Sequence, residues 1–462
     1  MEIEYNRTFW SQLKKNMFDK IFIKNVNIID GLGNEPFQGS VYVENKRICK
    51  IYKSKTSLPQ SGKSDSSLHI VDGKGNYLMP GIIDAHCHSS FDEVSSNDEL
   101  FFHRNRPGLA AIIASKNLKK ILRAGVTSIC DPDSIHELGY DLKEAINTSV
   151  IQGPRIATGG YAMLTSVGGT AGRLIPDKGT IGYGKIVNGH DEIVAEVRRQ
   201  IKMGADWIKV HVTGLIPNHK ERGEIQVWSK EEMELICKVA HDLGTPVMGH
   251  CRGSNSIRDA AISGFDLILH GTLMEPDALE AVVERKTPIA PTFTFQANLI
   301  DYGHFVGASN YIKDLFRREI IDSAVMLRKA YDQGVPILCG TESGFSVTPY
   351  GQWHYREMEI LMKEMGFTAL EAIKSSTSVN AYAMRLEGEI GRVEEGAFAD
   401  LIIVSSDPLK DITSLGDQEN IKMVMKSGEI QEFEEEKDRL SIPGWRVVNY
   451  GQILSKDLVN KK

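Results

Sequence analysis

The chain has 462 residues, of which 41% are hydrophobic and 25% are charged, a balance typical of a globular protein with a large core. Its net charge of -7 argues against nucleic acid and anionic membranes as partners. No apolar run is long enough to span a membrane, the N-terminal segment lacks the apolar core of a secretory signal, and the six cysteines form no Cys-x-x-Cys pair, so we expect a cytoplasmic protein in a reducing compartment.

The first predicted elements are short strands between residues 20 and 80. Three segments there alternate apolar and polar residues and are joined by turn-forming residues: "KIFIKNVNIID", "GSVYVENKRICKI" and "HIVDGKGNYLMP". Such alternation is typical of an antiparallel sheet with one buried face. The stretch at 52–67, which is rich in Lys, Ser and Gly, predicts a surface loop.

From residue 81 onward, strands and helices alternate. Five segments place a glycine after a helical pattern and before an apolar strand, as a left-handed helix cap requires: "LRAGVTSIC", "IKMGADWIKV", "HDLGTPVMGH", "AISGFDLILH" and "YDQGVPILCG". With "GIIDAH", "RIATGG" and "TPIAPTF" they give eight predicted strands, and helices are predicted at 192–203, 230–242, 256–262 and 318–332. This predicts an α/β fold with a (β/α)8 TIM barrel over 81–387. A doubly wound open sheet is the structural alternative, but no Gly-x-Gly-x-x-Gly motif follows the first strand to support a dinucleotide site.

The C-terminal part returns to alternating strands. "GRVEEGAFADLIIVSSDP" and "IKMVMKSGEI" have the same pattern as the N-terminal segments. Two short β segments are each marginally stable alone. We therefore expect residues 20–80 and 388–433 to combine into one small β-sandwich-like domain beside the barrel, with a C-terminal tail over 434–462.

Potential metal ligands stand at the carboxyl ends of the predicted barrel strands. His86 and His88 in "GIIDAHCHS" are two residues apart, so both side chains point to the same side of a strand. Strand-end residues of this kind converge on the rim where barrel active sites lie. Their nitrogen and oxygen atoms suit zinc or a similar divalent ion. The full set is His86, His88, Lys209, His250, His270 and Glu342.

Motifs spread over nearly the whole chain carry a family resemblance: "NVNIIDG", "MPGIIDAHCH", "GVTS", "GADWIKV", "GHCRG", "LILHG" and "GRVEEGAFADLIIV". With these motifs the chain resembles the amidohydrolase superfamily, most closely its imidazolonepropionase-like and prolidase-like members. The resemblance implies a small sheet domain built from the two β segments. It also implies a binuclear centre in which His86 and His88 hold one metal ion, His250 and His270 hold the other, and the carbamate of Lys209 bridges both.

Two of these positions need a chemical account. A lysine ammonium group repels cations, but burial favours the neutral amine, which can take up CO2 and become an anionic oxygen ligand. Glu342 departs from the family, whose last strand usually offers an aspartate, because its carboxylate stands one methylene further from the backbone. It could act as a base with shifted geometry, the metals could be held differently, or catalysis could be lost.

Substrate contacts are expected from residues beyond these ligands. His211 and Arg252 lie two residues after Lys209 and His250 and should point to the same side. Arg252 or His211 could pair with a substrate carboxylate, or Arg252 could pair with an acid of the barrel. A long glycine-rich loop is predicted at 159–185 after the third strand, and the segment at 346–357 follows the eighth. Long mouth loops usually contact ligand, whereas "DPDS" at 131–134 predicts only a capping turn. The candidates from these strand ends and loops are Tyr161, Arg173, His211, His219, Arg252, Tyr350, Trp353 and His354.

These patterns and the resemblance predict a hydrolase that cleaves an amide, peptide or carbamate-like C–N bond of a small molecule by metal-activated hydroxide, with Glu342 as general acid/base. The expected cofactors are two divalent ions, foremost zinc, and the Lys209 carbamate. A mononuclear deaminase of a small heterocycle is one alternative, although "GHCRGSNS" lacks the glutamate that such deaminases carry after this histidine. A phosphotriesterase or lactonase would use much the same site, and a catalytically inactive barrel would act as a binding module. A homo-oligomer is expected, as for many such barrels.

Overall fold

The computed structural model describes residues 19–54, 68–91, 106–169, 175–178, 182–215, 224–434 and 453–460. Strands in these ranges are β1 Lys20–Ile28, β2 Phe37–Glu44, β3 Arg47–Lys53, β4 Leu68–Asp72, β5 Tyr77–Pro80, β6 Ile82–Asp84, β7 Val126–Asp131, β8 Arg155–Thr158, β9 Ala162–Leu164, β10 Gly184–Ile186, β11 Ile208–His211, β12 Thr213–Leu215, β13 Ile225–Gln226, β14 Val247–Arg252, β15 Leu267–Thr272, β16 Ile289–Ala290, β17 Leu401–Val404, β18 Ile421–Lys426 and β19 Glu429–Ile430. The α-helices are α1 Pro107–Arg123, α2 Leu138–Asn147, α3 His190–Met203, α4 Lys230–His241, α5 Ser254–Ser263, α6 Pro276–Arg285, α7 Thr294–Tyr302, α8 Asn310–Asp332, α9 Arg356–Met365, α10 Ala369–Lys374 and α11 Lys456–Asn460.

Strands from both ends of the chain share one sheet, which has eight strands in the described ranges. β17 pairs antiparallel with β5 and β18, and β1 pairs antiparallel with β2. The sheet is mixed, because β4 and β5 both pair parallel with β1, on the edge of β1 that does not pair with β2. The expectation of an antiparallel sheet was therefore wrong for this edge. Isoleucine, valine and leucine side chains from both chain ends pack together into one hydrophobic core.

Two parallel sheets occupy the middle of the chain. One has the order β6-β7-β8, and the other has the order β10-β9-β11-β14-β15-β16. Helices α4, α5 and α6 each connect two neighbouring parallel strands. A capping box of Ser229 and Glu232 begins α4, and α5 ends where Gly264 adopts a left-handed φ of 102°. The predicted α/β class with parallel sheets is confirmed.

Two predicted elements differ from the structure. The segment after β8 was predicted as a loop, but it contains β9 and β10, because β9 pairs with β11 between Met163 and Val210. The predicted eighth strand at "PILCG" has only an isolated bridge between Ile289 and Ile337. A side chain satisfies part of its backbone, because Asn380 accepts from the Cys339 N–H and donates to the Cys339 carbonyl.

Backbone hydrogen bonds link the two parallel sheets. On one side, the Asp206 N–H donates to the Thr158 carbonyl at 2.9 Å. On the other side, the Leu338 N–H donates to the Ile289 carbonyl at 2.8 Å, and the Ala85 N–H donates to the Cys339 carbonyl at 2.9 Å. Among the helices of the described residues, none combines the length and apolar character that crossing a membrane requires.

Candidate metal centre

Glu342 lies against two histidines that follow β6. The Glu342 N–H donates to the His86 carbonyl at 2.8 Å, and the His88 N–H donates to the Ser343 carbonyl at 2.8 Å. Glu342 Oε2 lies 3.3 Å from His86 Nε2, and Glu342 Oε1 lies 3.6 Å from His88 Nε2. One ligand atom from each of these three side chains lies within 4.8 Å of the other two. The three residues therefore form a group that could hold a metal ion.

Protein contacts occupy the opposite ring nitrogen of each histidine in this group. His88 Nδ1 lies 3.1 Å from the backbone carbonyl of Asp133, which can only accept a hydrogen bond. His86 Nδ1 lies 3.2 Å from Thr292 Oγ1, and that hydroxyl donates its own proton to the Ala290 carbonyl. Both Nδ1 atoms are therefore donors, so in the neutral form of each ring Nε2 carries the lone pair for a ligand near Glu342.

The other predicted ligands come from β11, β14 and β15. Lys209 is 1% exposed, and His250 and His270 are each 6% exposed. The His270 ring lies 4.4 Å from the His250 ring and 5.3 Å from the His86 ring, measured between centroids. Both His270 and Glu342 adopt left-handed backbone conformations, with φ of 71° and 58°. Such strain in non-glycine residues is frequent at functional sites.

The donor set fits a bound cation. His88 Nε2, His270 Nε2 and Glu342 Oε2 are buried, and none has a hydrogen-bond partner among the described residues. Buried polar atoms without partners cost free energy, so such atoms are rare in folded proteins. A divalent ion would satisfy them, because imidazole nitrogen and carboxylate oxygen are ligands that zinc and related ions accept.

The electrostatics of the site are set by burial and by two carboxylates. Burial lowers the pKa of His86 and His270 well below the usual histidine value. Burial would also lower the pKa of His88, but Asp133 and Glu342 outweigh it and raise the pKa of His88 to about 10. Burial would raise the pKa of Glu342, but the neighbouring histidines lower it to about 2. A cation at this position would compete with the proton on His88.

Lys209 lies in the same buried region. Burial is the main cause that lowers the pKa of its amine. Its Nζ atom lies 3.8 Å from Asp133 Oδ2. Lys209 therefore loses its proton to become a neutral amine more readily than an exposed lysine does.

Sequence reasoning missed Asp133. This acid is 2% exposed, and its carboxylate lies 3.2 Å from His88 Nδ1 and 3.5 Å from His211 Nε2. Burial would raise the pKa of Asp133, but His88 and its other basic neighbours hold it well below the usual value. The "DPDS" stretch therefore does more than cap a turn. The available signal was its place two residues after the end of β7, a strand of the parallel sheet.

Glu224 was also missed, and it explains the surroundings of Arg252. Glu224 Oε2 lies 2.9 Å from His250 Nε2, and Glu224 Oε1 lies 3.8 Å from Arg252 Nε. Arg252 Nη2 lies 2.5 Å from Glu319 Oε1. Burial would raise the pKa of Glu224, but His250 and Arg252 lower it to about 2. Of the two alternatives for Arg252, the structure shows the pairing with acids of the fold.

The remaining predicted substrate residues have different surroundings. The His211 ring stacks on the His250 ring at 4.6 Å, and burial lowers the pKa of His211 to about 4. His354 uses both ring nitrogens within the protein, because Nδ1 lies 2.8 Å from Asp84 Oδ2 and Nε2 accepts the Gly351 N–H. Tyr161 is 3% exposed. Substrate contact by Tyr161, His211, Arg252 and His354 stays a prediction.

Tyr350 and Trp353, two other predicted substrate residues, donate side-chain hydrogen bonds to backbone carbonyls. The Tyr350 hydroxyl donates to the His88 carbonyl at 2.5 Å, and the Trp353 indole N–H donates to the Leu454 carbonyl at 2.9 Å. Arg173 and His219 lie outside the described residues.

Aromatic rings line one side of the centre. The Phe91 ring stacks on His88 at 3.9 Å, and the Phe345 ring lies 5.7 Å from His88. Phe295 lies 5.5 Å from Phe345, and both of these rings are half-buried. The side of the site next to His88 is therefore apolar.

Comparisons with known proteins agree on one family. Residues 77–431 match the model described as the amidohydrolase family. The ochratoxinase of Aspergillus niger is 26% identical over 425 residues, which cover 87% of this chain and 85% of the ochratoxinase. A solved Xaa-Pro dipeptidase with bound methionine in the active site is 28% identical with a TM-score of 0.76, covering 90% of this chain and 100% of the dipeptidase. The solved structure of the A. niger ochratoxinase is 24% identical with a TM-score of 0.76, covering 89% of this chain and 95% of that one.

Proposed function

The chain belongs to the amidohydrolase family, and on this basis we propose that it is a binuclear metal-dependent hydrolase that cleaves a C–N bond of an amide, peptide or carbamate-like small molecule. The observation that carries the proposal is the group formed by His86, His88 and Glu342, whose ligand atoms lie within 4.8 Å of one another. Its buried atoms without hydrogen-bond partners support a metal ion at this position.

The proposed architecture is a (β/α)8 barrel over 81–387, the TIM-barrel fold of this superfamily. The hydrogen bonds that link the two parallel sheets at Thr158, Ile289 and Cys339 support closure of the barrel. The small β-sandwich-like domain is assigned to 20–80 and 388–433, and the tail to 434–462. The pairing of β17 with β5 supports this division.

The residues that would hold the ions fall into two halves. His86 and His88 would bind one ion with Glu342, His250 and His270 would bind the other, and the carbamate of Lys209 would bridge them. The lowered pKa of the buried Lys209 amine supports carbamate formation with CO2. When bound, divalent ions such as zinc would lower the pKa of water and polarise the substrate carbonyl.

Glu342 would move the proton. Its side chain is 17% exposed, whereas those of His86 and His88 are 1% and 4% exposed, so Glu342 is the most accessible of the three side chains. With a pKa of about 2, Glu342 is ionised at neutral pH and can accept a proton from the attacking water. It would then deliver that proton to the leaving nitrogen as general acid.

The aromatic side of the centre supports a substrate with an apolar or aromatic group next to the scissile bond. Phe295 and Phe345 are half-buried and would pack against such a group. The names of the two relatives, an ochratoxinase and a Xaa-Pro dipeptidase, also favour amide and dipeptide substrates. A cytoplasmic location and a homo-oligomeric state remain predictions from the sequence.

A turnover screen tests the proposal. The purified protein would be supplied with zinc or manganese and bicarbonate, and assayed against N-acyl amino acids, dipeptides, ureas and carbamates, with a chelated sample as control. We expect amide hydrolysis that is lost on chelation and about two ions per chain. Ammonia release from heterocycles would favour a deaminase, and turnover confined to phosphotriesters or lactones would favour those activities. A metal-free protein that cannot be reconstituted would favour a binding module.

A further inference from the structure

We propose that Glu224 is a positioning residue that fixes the ring of His250 for the second metal ion. This inference rests on the proposed binuclear centre and assigns a role to an acid that sequence reasoning missed. It concerns which nitrogen of His250 faces the ion.

The contact between the two side chains determines the tautomer. Glu224 Oε2 lies 2.9 Å from His250 Nε2. The same oxygen accepts the hydroxyl proton of Thr213 at 2.8 Å, so it acts as an acceptor in both contacts. The proton of the neutral imidazole therefore lies on Nε2, and Nδ1 keeps the lone pair that can bind a metal.

Several contacts hold the carboxylate in place. The Glu224 N–H donates to the Arg252 carbonyl at 2.9 Å, so the residue is tied to the end of β14, which also carries His250. The Thr213 hydroxyl oxygen accepts the Arg252 N–H at 3.2 Å, which orients the hydroxyl proton towards Glu224. The Glu224 side chain is 8% exposed. Its position is therefore set by backbone and side-chain contacts together.

His88 and His250 offer opposite ring nitrogens to the ions. His88 donates from Nδ1 to the Asp133 carbonyl and keeps the lone pair on Nε2, whereas His250 donates from Nε2 and keeps the lone pair on Nδ1. Removing the acceptor at Glu224 would free the His250 ring to rotate or change tautomer. Loss of such a partner typically weakens metal affinity by roughly 10–100-fold.

The test measures metal binding directly. Metal content per chain and the visible spectrum during titration with Co2+ would be recorded for the wild-type protein, Glu224→Leu, Glu224→Gln and Glu319→Gln. Glu319→Gln is the matched control, because Glu319 is also buried and pairs with Arg252. We expect Glu224→Leu to keep the first ion and to bind the second roughly 10–100-fold more weakly. Glu224→Gln, which keeps one acceptor oxygen, should lose less, and Glu319→Gln should match the wild type.

The outcomes separate this inference from the proposed function. A wild-type protein that binds two ions and a Glu224→Leu variant that binds both with unchanged affinity would overturn the role of Glu224 alone. If Glu224→Leu does not fold, unchanged second-ion binding by Glu224→Gln, or an equal loss in Glu319→Gln, would overturn it. A wild-type protein that binds fewer than two ions at saturation would overturn the binuclear centre and this inference with it.

Discussion

The length of the Glu342 side chain can be used to test the proposed catalytic role of this residue. In the structure its two carboxylate oxygens lie 3.3 Å from His86 Nε2 and 3.6 Å from His88 Nε2. Glu342→Asp would keep the charge but draw the carboxylate back by about 1.5 Å, the length of one C–C bond. Because a misplacement of about 1 Å can cost roughly 100-fold in rate, we expect kcat to fall by about that factor, with weaker binding of the first ion.

Glu342→Gln separates charge from reach. The amide keeps the length of the side chain but cannot accept and return a proton. We expect kcat to fall by about 100- to 10,000-fold, the usual contribution of general acid–base catalysis, while most of the bound metal is retained. Steady-state hydrolysis of the best amide from the screen and metal content would be measured on the same preparations.

The two variants test different parts of the role proposed for Glu342, its side-chain length and its proton transfer. Wild-type activity in Glu342→Asp would show that the longer reach is not used. Full activity in Glu342→Gln would remove Glu342 from proton transfer. Urea unfolding midpoints close to that of the wild type would show that a loss of activity is not a loss of folding.

Three further predictions concern stability. Asp84 accepts from Thr341 and His354, so Asp84→Asn should lower the free energy of unfolding by roughly 2–4 kcal/mol in urea titrations; an unchanged midpoint would contradict this. Leu454 is fully buried, so Leu454→Ala should detach residues 453–460 and speed proteolysis there; an unchanged cleavage rate would refute docking of this segment. Burial lowers the pKa of Lys426 to about 8 from 10.5, so the folded state binds fewer protons between these values. The wild type should therefore gain up to about 3 kcal/mol relative to Lys426→Met as pH rises from 8 to 10.5, and parallel pH profiles would contradict the shift.

Local patterns in the sequence determined the elements and the histidine pair. Glycine after a helical pattern predicted the end of α5 at Gly264, because a left-handed cap depends only on the residue itself and its neighbours. The spacing of His86 and His88 predicted that both would face one side. In the structure both Nε2 atoms do lie near Glu342. The direction of the two histidine side chains follows from the period of one extended segment, so the sequence alone could predict it.

Only the tertiary structure decided the partners of the buried polar groups. Glu224 carries no distinguishing pattern, and Asp133 is marked only by its place after a strand, yet each contacts a predicted metal ligand. His354 pairs with Asp84, which is 270 positions away in the chain, and Arg252 pairs with Glu319, which is 67 positions away. A buried donor or acceptor must find a partner wherever packing brings one, and that choice depends on which distant segments meet. Periodicity within a single segment does not predict which distant segments come into contact.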